Sequence, residues 1–176
     1  SNSYVFDLAQ QPDGKILVGG QFVGVNGGNS IIRLNADGTV DPSFVDASPA
    51  FNMVRVIALQ PDGKVLIGGR FATYGGANRL NLARLEADGS LDVTFNAGGG
   101  GAGVTNQTTQ EVNDIAVEPD GRILISGSFT EYMGLPQTGL ARLHADGSLD
   151  NSLNIGTGIA GAVNSIDLYP DGRIFL

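Results

Sequence analysis

The chain has no cysteine, no tryptophan, one histidine and two methionines. Without thiols there can be no disulfide, no cysteine-ligated zinc and no thiol nucleophile. A single histidine cannot build a multi-histidine metal centre, and a Ser-His-Asp triad would have to recruit His144 itself. Basic residues are scarce too: 10 Lys and Arg stand against 18 Asp and Glu, for a net charge of −8. Nucleic-acid binding needs clustered Lys and Arg to displace counterions, and no cluster exists, so nucleic acid is excluded as a partner. The same charge balance disfavours anionic membranes. No apolar run reaches the roughly 18 residues of a spanning helix, so membrane insertion by a helix is not expected. The opening "SNSYVF" carries no secretion-signal pattern, and any export signal is expected to lie outside it.

Glycine is abundant, with 27 of 176 residues, and announces many tight turns. The dominant feature is internal repetition. "QQPDGKILVGGQF" (10–22), "LQPDGKVLIGGRF" (59–71) and "VEPDGRILISGSF" (117–129) are one motif, and "LYPDGRIFL" (168–176) begins it again. The shared prolines are Pro12, Pro61, Pro119 and Pro170. The longest spacing contains the Gly/Thr/Gln-rich insert "NAGGGGAGVTNQTTQ" (96–110). The single repeat domain 1–176 divides into units at about 4–52, 53–110 and 111–161, with a partial unit at about 162–176.

Each unit reads as four short antiparallel strands. Pro-Asp-Gly forms the first hairpin loop: Pro presets φ, Asp favours the next corner and Gly takes the left-handed position. This register faces Gln60 with Lys64, Leu59 with Val65, and Glu118 with Arg122. The middle strand ends in a double glycine that permits a bulge or close backbone approach. Phe22, Phe71 and Phe129 follow at a fixed offset as core anchors. A second hairpin closes through Ala-Asp-Gly in "NADGTVD" (35–41), "EADGSLD" (86–92) and "HADGSLD" (144–150). It faces Leu85 with Leu91, and sets Arg33, Arg84 and Arg142 opposite Asp41, Asp92 and Asp150. Apolar spacing of two and recurrent turn signals exclude helical repeats. The fold class is all-β: three complete β-propeller-type blades of four antiparallel strands and a partial fourth, with an open β-repeat array or solenoid as the alternative.

The combination of P-D-G-K, G-G-x-F, A-R-L and A-D-G-S-L-D in "ALQPDGKVLIGGRFATYGGANRLNLARLEADGSLDVTF" (58–95) resembles the bacterial delta-60 repeat, and the likeness spans nearly the whole chain. The first unit departs at Ile32, and the third at Ser126, Leu135 and Leu153, all conservatively. The resemblance implies a β-propeller in a large secreted or cell-surface bacterial protein, mostly without assigned activity. A looser likeness to kelch blades, including Tyr74 after Gly69, lacks the kelch tryptophan and reflects shared blade physics. Three and a half units are expected to be completed by further repeats of a parent chain, with a second copy as the alternative.

Read as calcium loops, the second hairpins offer Asp37, Asp88 and Asp146 with Asp41, Asp92 and Asp150 as ligands. Their opening position, however, is Arg33, Arg84 or Arg142. A cation about 4 Å from a divalent ion, at an effective dielectric of about 20, costs about 8 kcal/mol. The preferred reading is a turn in which arginine clamps the aspartate, with weak calcium binding as the alternative and no other cofactor expected. Asp7 and Asp114 read as solvated strand positions; the alternative, with Asn113 and Asn164, is an axial metal site of a propeller hydrolase or lactonase. His144 is expected as an exposed turn residue. "GGGGAG" (98–103) is a flexible inter-blade loop rather than a phosphate loop. Asn106 begins a glycosylation sequon, of little weight in the bacterial protein that the resemblance implies. In the loops 23–30, 72–81 and 130–139, Tyr74 and Tyr132, with Val25 as their counterpart, read as packing residues or as partner contacts. The function expected is non-enzymatic: an extracellular scaffold or interaction module gripping an unknown protein or glycan, a protein being slightly favoured.

Overall fold

In a computed structural model, residues 3–22, 30–47, 52–98, 100–103, 109–153 and 159–176 are described. Val25, most of loop 23–30, Gly99 and the sequon at Asn106 lie outside the described residues. Among the described residues the chain is all-β, with no helix.

The first sheet contains β1 (Tyr4–Gln10), β2 (Ile16–Gln21) and β3 (Ile31–Leu34), paired antiparallel in chain order. The second is built the same way from β4 (Met53–Leu59), β5 (Val65–Arg70) and β8 (Leu82–Leu85), after a small ribbon of β6 (Thr73–Tyr74) and β7 (Ala77–Asn78). The third repeats the plan with β9 (Val112–Val117), β10 (Ile123–Gly127), ribbon β11 (Glu131–Tyr132) and β12 (Leu135–Pro136), and β13 (Leu140–Leu143). A fourth, partial sheet pairs β14 (Asp167–Leu168) with β15 (Ile174–Phe175).

Both hairpins have the anticipated register. Leu59 pairs with Val65, and the Gln60 N–H donates to the Lys64 carbonyl at 2.9 Å across the Pro-Asp-Gly loop. Gly14, Gly63, Gly121 and Gly172 have φ of 84–87°, the left-handed corner that a side chain would strain. Leu85 bridges Leu91. The fourth strand, however, shrinks to single bridges: Leu34–Val40, Leu85–Leu91 and Leu143–Leu149. The cause is local. Asp41 N–H still donates to the Arg33 carbonyl at 2.8 Å, but the next available donor, Ser43 N–H, turns to the Asp41 carboxylate at 2.9 Å. Asp92 with Thr94 and Asp150 with Ser152 repeat this Asx turn, which diverts the backbone from the ladder.

Middle strands read as continuous apolar runs because they are covered on both faces: Leu66 and Ile67, like Leu124 and Ile125, are fully buried. The cores therefore lie between sheets. One joins Leu17 and Ile31 of the first sheet to Val54, Ile57 and Ile67 of the second. Another joins Leu66, Leu82 and Phe95 to Val112, Ile115, Ile123 and Phe129. Each repeat buries its face only by stacking on a neighbour. Phe22, Phe71 and Phe129 are buried, as anchors should be.

The double glycine has two separate jobs. A bulge at residue 6 of β1 recurs at 55 of β4 and 113 of β9. Each bulge pushes a backbone carbonyl against the second glycine: a Cβ on Gly20, Gly69 or Gly127 would sit 2.0–2.1 Å from the carbonyl oxygen of Tyr4, Met53 or Glu111. The first glycine makes room for the next sheet. A Cβ on Gly19 would lie 2.9 Å from Val54, and one on Gly68 would lie 2.6 Å from Val112.

Candidate functional site

The second hairpin has an outward-pointing loop and a charged pair at its base. Arg33, Arg84 and Arg142 each donate through Nε to Oδ2 of Asp41, Asp92 and Asp150 at 2.8 Å. The expected clamp is there, but its setting differs from a surface cross-strand pair: all three aspartates and both Arg33 and Arg84 are buried. Lys15 and Lys64, from the first hairpins, add second cations at 2.8 Å to Asp41 and Asp92. Arg122 approaches Asp150 at 3.6 Å. The guanidinium groups of Arg33 and Arg84 also stack over Phe44 and Phe95, at 4.9 and 4.6 Å.

These contacts hold the aspartates ionised. The Lys15 ammonium, the Ser43 hydroxyl and backbone N–H, and the Arg33 guanidinium keep Asp41 well below the usual carboxylate range. Burial pushes Asp92 upward, but bonds from Lys64, Thr94 and Arg84 outweigh it and the net shift is downward. Asp150 is lowered mainly by Ser152, then by Arg142.

The arginines reach further than their own sheet. Arg33 Nη1 donates to the Ala87 carbonyl of the next hairpin at 2.6 Å, and Arg84 Nη1 to that of Ala145 at 2.5 Å. The chain that follows each clamp docks on the same ledge. Val45 N–H donates to the Asp88 carbonyl at 2.7 Å, and Asn96 N–H to that of Asp146 at 2.8 Å. An Ala-Asp-Gly tip is thus a handhold for the preceding sheet. The Asp37, Asp88 and Asp146 carboxylates accept from the N–H and hydroxyl of Thr39, Ser90 and Ser148, two residues on, which tightens the turn. Those bonds draw their acidities below the ordinary carboxylate value. Among the described residues no three His, Asp or Glu side chains converge as a metal-holding group.

Tyr74 and Tyr132 pack inward: only 1% and 0% of their surfaces are exposed. They sit on the ribbons, whose turns run through positive φ at Gly75–Gly76 and Met133–Gly134, and face the seam. Tyr132 hydroxyl donates to the Gly147 carbonyl at 2.6 Å, and Tyr74 to that of Gly89 at 3.2 Å, so each braces the hairpin from behind. Desolvation raises both phenols. The large apolar side chains that ribbon β11–β12 exposes are Met133 and Leu135.

Asp7 and Asp114 are half-buried strand residues. Each spans a seam: Asp7 Oδ2 accepts from Ile57 N–H, and Asp114 Oδ2 from Ile166 N–H, both at 2.7 Å. The second unit has Val56 there, and its seam carries an Arg55–Glu111 pair at 3.4 Å instead. Asn113 and Asn164 do meet, Nδ2 of the first donating to Oδ1 of the second at 3.3 Å, but as seam partners.

The glycine run is likewise pinned where it is described. Leu80 N–H donates to the Gly100 carbonyl, Ala102 N–H to that of Leu80, and Met133 N–H to that of Gly101, at 2.8–3.2 Å. A Cβ on Gly101 would fall 2.0 Å from the Leu80 carbonyl oxygen. Two sheets close over this segment, and glycine is what lets them. His144 is exposed in its turn, as expected. A hydroxyl two residues after each hairpin aspartate, in Asp41-Pro42-Ser43, Asp92-Val93-Thr94 and Asp150-Asn151-Ser152, is the sequence signal that marked these carboxylates as already engaged.

Comparison with known proteins agrees with this geometry. A family model described as "Domain of unknown function (DUF5122) beta-propeller" matches residues 11–44, 60–95 and 118–153, more than half of the chain. A "WD domain, G-beta repeat" model matches residues 103–130. No curated protein matches the chain.

Proposed function

The chain belongs to the DUF5122 β-propeller family, and from that premise we propose that it is a non-enzymatic scaffold or interaction module. One observation carries the reading: at the two complete seams the clamp arginines are engaged in holding one sheet to the next. Arg33 and Arg84 are committed to Asp41 and Asp92 and to the neighbouring hairpins, and Asp7 and Asp114 to neighbouring backbone. The repeat's chemistry is spent on stacking, which suits a molecule that presents a rigid surface. WD-type repeats commonly serve protein interaction, and the match at 103–130 supports a protein partner over a glycan. Its contact belongs at exposed Met133 and Leu135, beside a shallow cleft bounded by Asn96, Met133 and Asp146. The motifs' likeness to the delta-60 repeat supports placing the module in a secreted or cell-surface bacterial protein.

The first experiment is thermal unfolding in excess calcium and again in EDTA, alongside assays with lactone, phosphoester and glycoside substrates. Superimposable transitions and no turnover are expected. A rise of several degrees in calcium, lost in Asp37→Asn, Asp88→Asn and Asp146→Asn together, would replace this reading with a calcium-stabilised adhesion module. Turnover abolished by a chelator would replace it with a metal-dependent hydrolase.

A further inference from the structure

The seam between the second and third sheets differs from the one before it at two positions that line one cleft. Asn96 stands where the first seam has Val45: each donates its backbone N–H to the aspartate carbonyl of the next hairpin tip. Met133 stands where the second sheet has Gly75: both follow the bracing tyrosine, at φ of 50° and 56°. Gly75 is exposed between complete neighbouring sheets, so exposure belongs to this position of the repeat. The left-handed conformation is free to glycine but strains a residue with a β-carbon. Met133 bears that strain and is nonetheless 39% exposed, which marks it for a role at the surface. Its side chain lies along the glycine run: a Cβ on Gly98 would be 3.5 Å from Cε, and one on Gly100 would be 3.8 Å from Cγ.

Asn96 and Met133, with Asp146 and Ser148, line a shallow cleft of about 160 Å³. Its polar side chains hold spare acceptors. Asn96 is 3% exposed; Nδ2 donates to the Gly100 carbonyl at 3.2 Å, and the buried Oδ1 has no partner. Asp146 commits Oδ1 to the Ser148 N–H and hydroxyl, and its Oδ2 enters no hydrogen bond or ion pair among the described residues. We propose that this cleft receives a lysine side chain of a protein partner, with the ammonium on Asp146 Oδ2, Asn96 Oδ1 as second acceptor and the alkyl stem along Met133. The inference rests on the interaction-module reading and gives its partner a chemistry. An ammonium brings donors alone, which this pair of acceptors lacks, and a methylene stem suits a thioether wall. Arginine fits less well, because its fork uses both carboxylate oxygens and Ser148 already holds one. Calcium takes about six to eight oxygen ligands, and one carboxylate with one amide falls far short. The volume is below the roughly 300–1,000 Å³ of small-molecule sites, which suits a single side chain. The net charge of −8 draws a basic partner toward it.

The test is NMR of the chain with isotopically labelled methionine methyl groups. Only two signals arise, Met133 in the cleft and buried Met53 as internal reference, and Met133→Leu assigns them. The probe is acetyl-Ala-Lys-Ala-amide, with norleucine and arginine versions as controls. Saturable movement of the Met133 signal alone is expected, with a dissociation constant of about 1 mM. The norleucine peptide should bind at least fivefold more weakly, and the arginine peptide at least threefold. Asp146→Asn, which keeps an oxygen for Ser148, should weaken the lysine peptide by about fivefold at an unchanged melting temperature. Equal binding of norleucine would reduce the site to an apolar contact at Met133, and equal binding of arginine would reduce it to bulk charge attraction; either overturns the proposal. So does unchanged affinity in Asp146→Asn, joint movement of Met53, or no movement of Met133 up to about 10 mM peptide. None of these results touches the scaffold reading, which falls only to a calcium-dependent transition or to turnover.

Discussion

Arg84 illustrates how much one side chain carries in this repeat. It neutralises a buried aspartate, stacks on Phe95 and grips the next hairpin. Arg84→Ala should therefore lower the unfolding free energy by about 2–4 kcal/mol, because it strands a buried carboxylate and a carbonyl at once. Urea denaturation measures this; a loss below 0.5 kcal/mol, the size expected of a surface pair, would show that the clamp is ornamental. The tyrosines provide a graded pair. Tyr132→Phe removes a 2.6 Å bond to a buried carbonyl and should cost about 1–2 kcal/mol, whereas Tyr74→Phe loses only bonds of 3.2–3.4 Å and should cost less. Equal effects, or the reverse order, in parallel denaturation curves would contradict the bracing role.

Among the elements, the middle strand is the most constrained, and its two terminal glycines are not equivalent. Gly127→Ala drives a Cβ to 2.0 Å from the Glu111 carbonyl oxygen, where only backbone movement gives relief. It should destabilise by about 3 kcal/mol or more. One position earlier the third unit already carries Ser126, fully buried with its hydroxyl unpaired. Ser126→Ala should accordingly raise stability by about 1 kcal/mol. Melting temperatures of the two variants should move in opposite directions, and a common direction would refute the distinction between a glycine demanded by the bulge and one demanded by the neighbouring sheet. The Pro-Asp-Gly and Ala-Asp-Gly hairpins were legible from sequence because their register follows from loop length and three adjacent residue types. The shortening of strand four was not, because it depends on the Ser or Thr two residues after the aspartate winning the backbone donor.

At the scale of the molecule, the seams share an electrostatic signature. Asp41, Asp92 and Asp150 have acidities lowered by their cationic and hydroxyl partners. Unfolded carboxylates titrate near pH 4. Their contribution to stability is thus fully present above about pH 4 and declines as the pH falls further, since the unfolded chain takes up protons first. Chemical denaturation from pH 7 to 2 should show a plateau followed by a steep fall, flattened in the Asp41→Asn, Asp92→Asn, Asp150→Asn triple variant. A parent curve that stays level below pH 4 would mean that the clamps contribute nothing. The exposed Val5 and Leu8 belong to this scale as well. They are 57% and 61% accessible, although their counterparts Val54 and Ile57, at 1% and 7%, fill the space beside Gly19.

The sequence by itself determined the repeat, its all-β class, both hairpin registers and the pairing of each arginine with the aspartate eight positions on. All of these follow from short-range rules: turn chemistry, alternation and loop length act over a few residues. Only the tertiary structure decided where those pairs lie. It turned the clamps into buried inter-sheet fasteners, directed Asp7 and Asp114 to neighbouring backbone, and sealed Tyr74 and Tyr132 behind the hairpins. The physical reason is that a sheet with apolar side chains on both faces has no solvent side to assign from its own sequence. Which residues are inside is set by the neighbour stacked upon it, about 50 positions away in the chain.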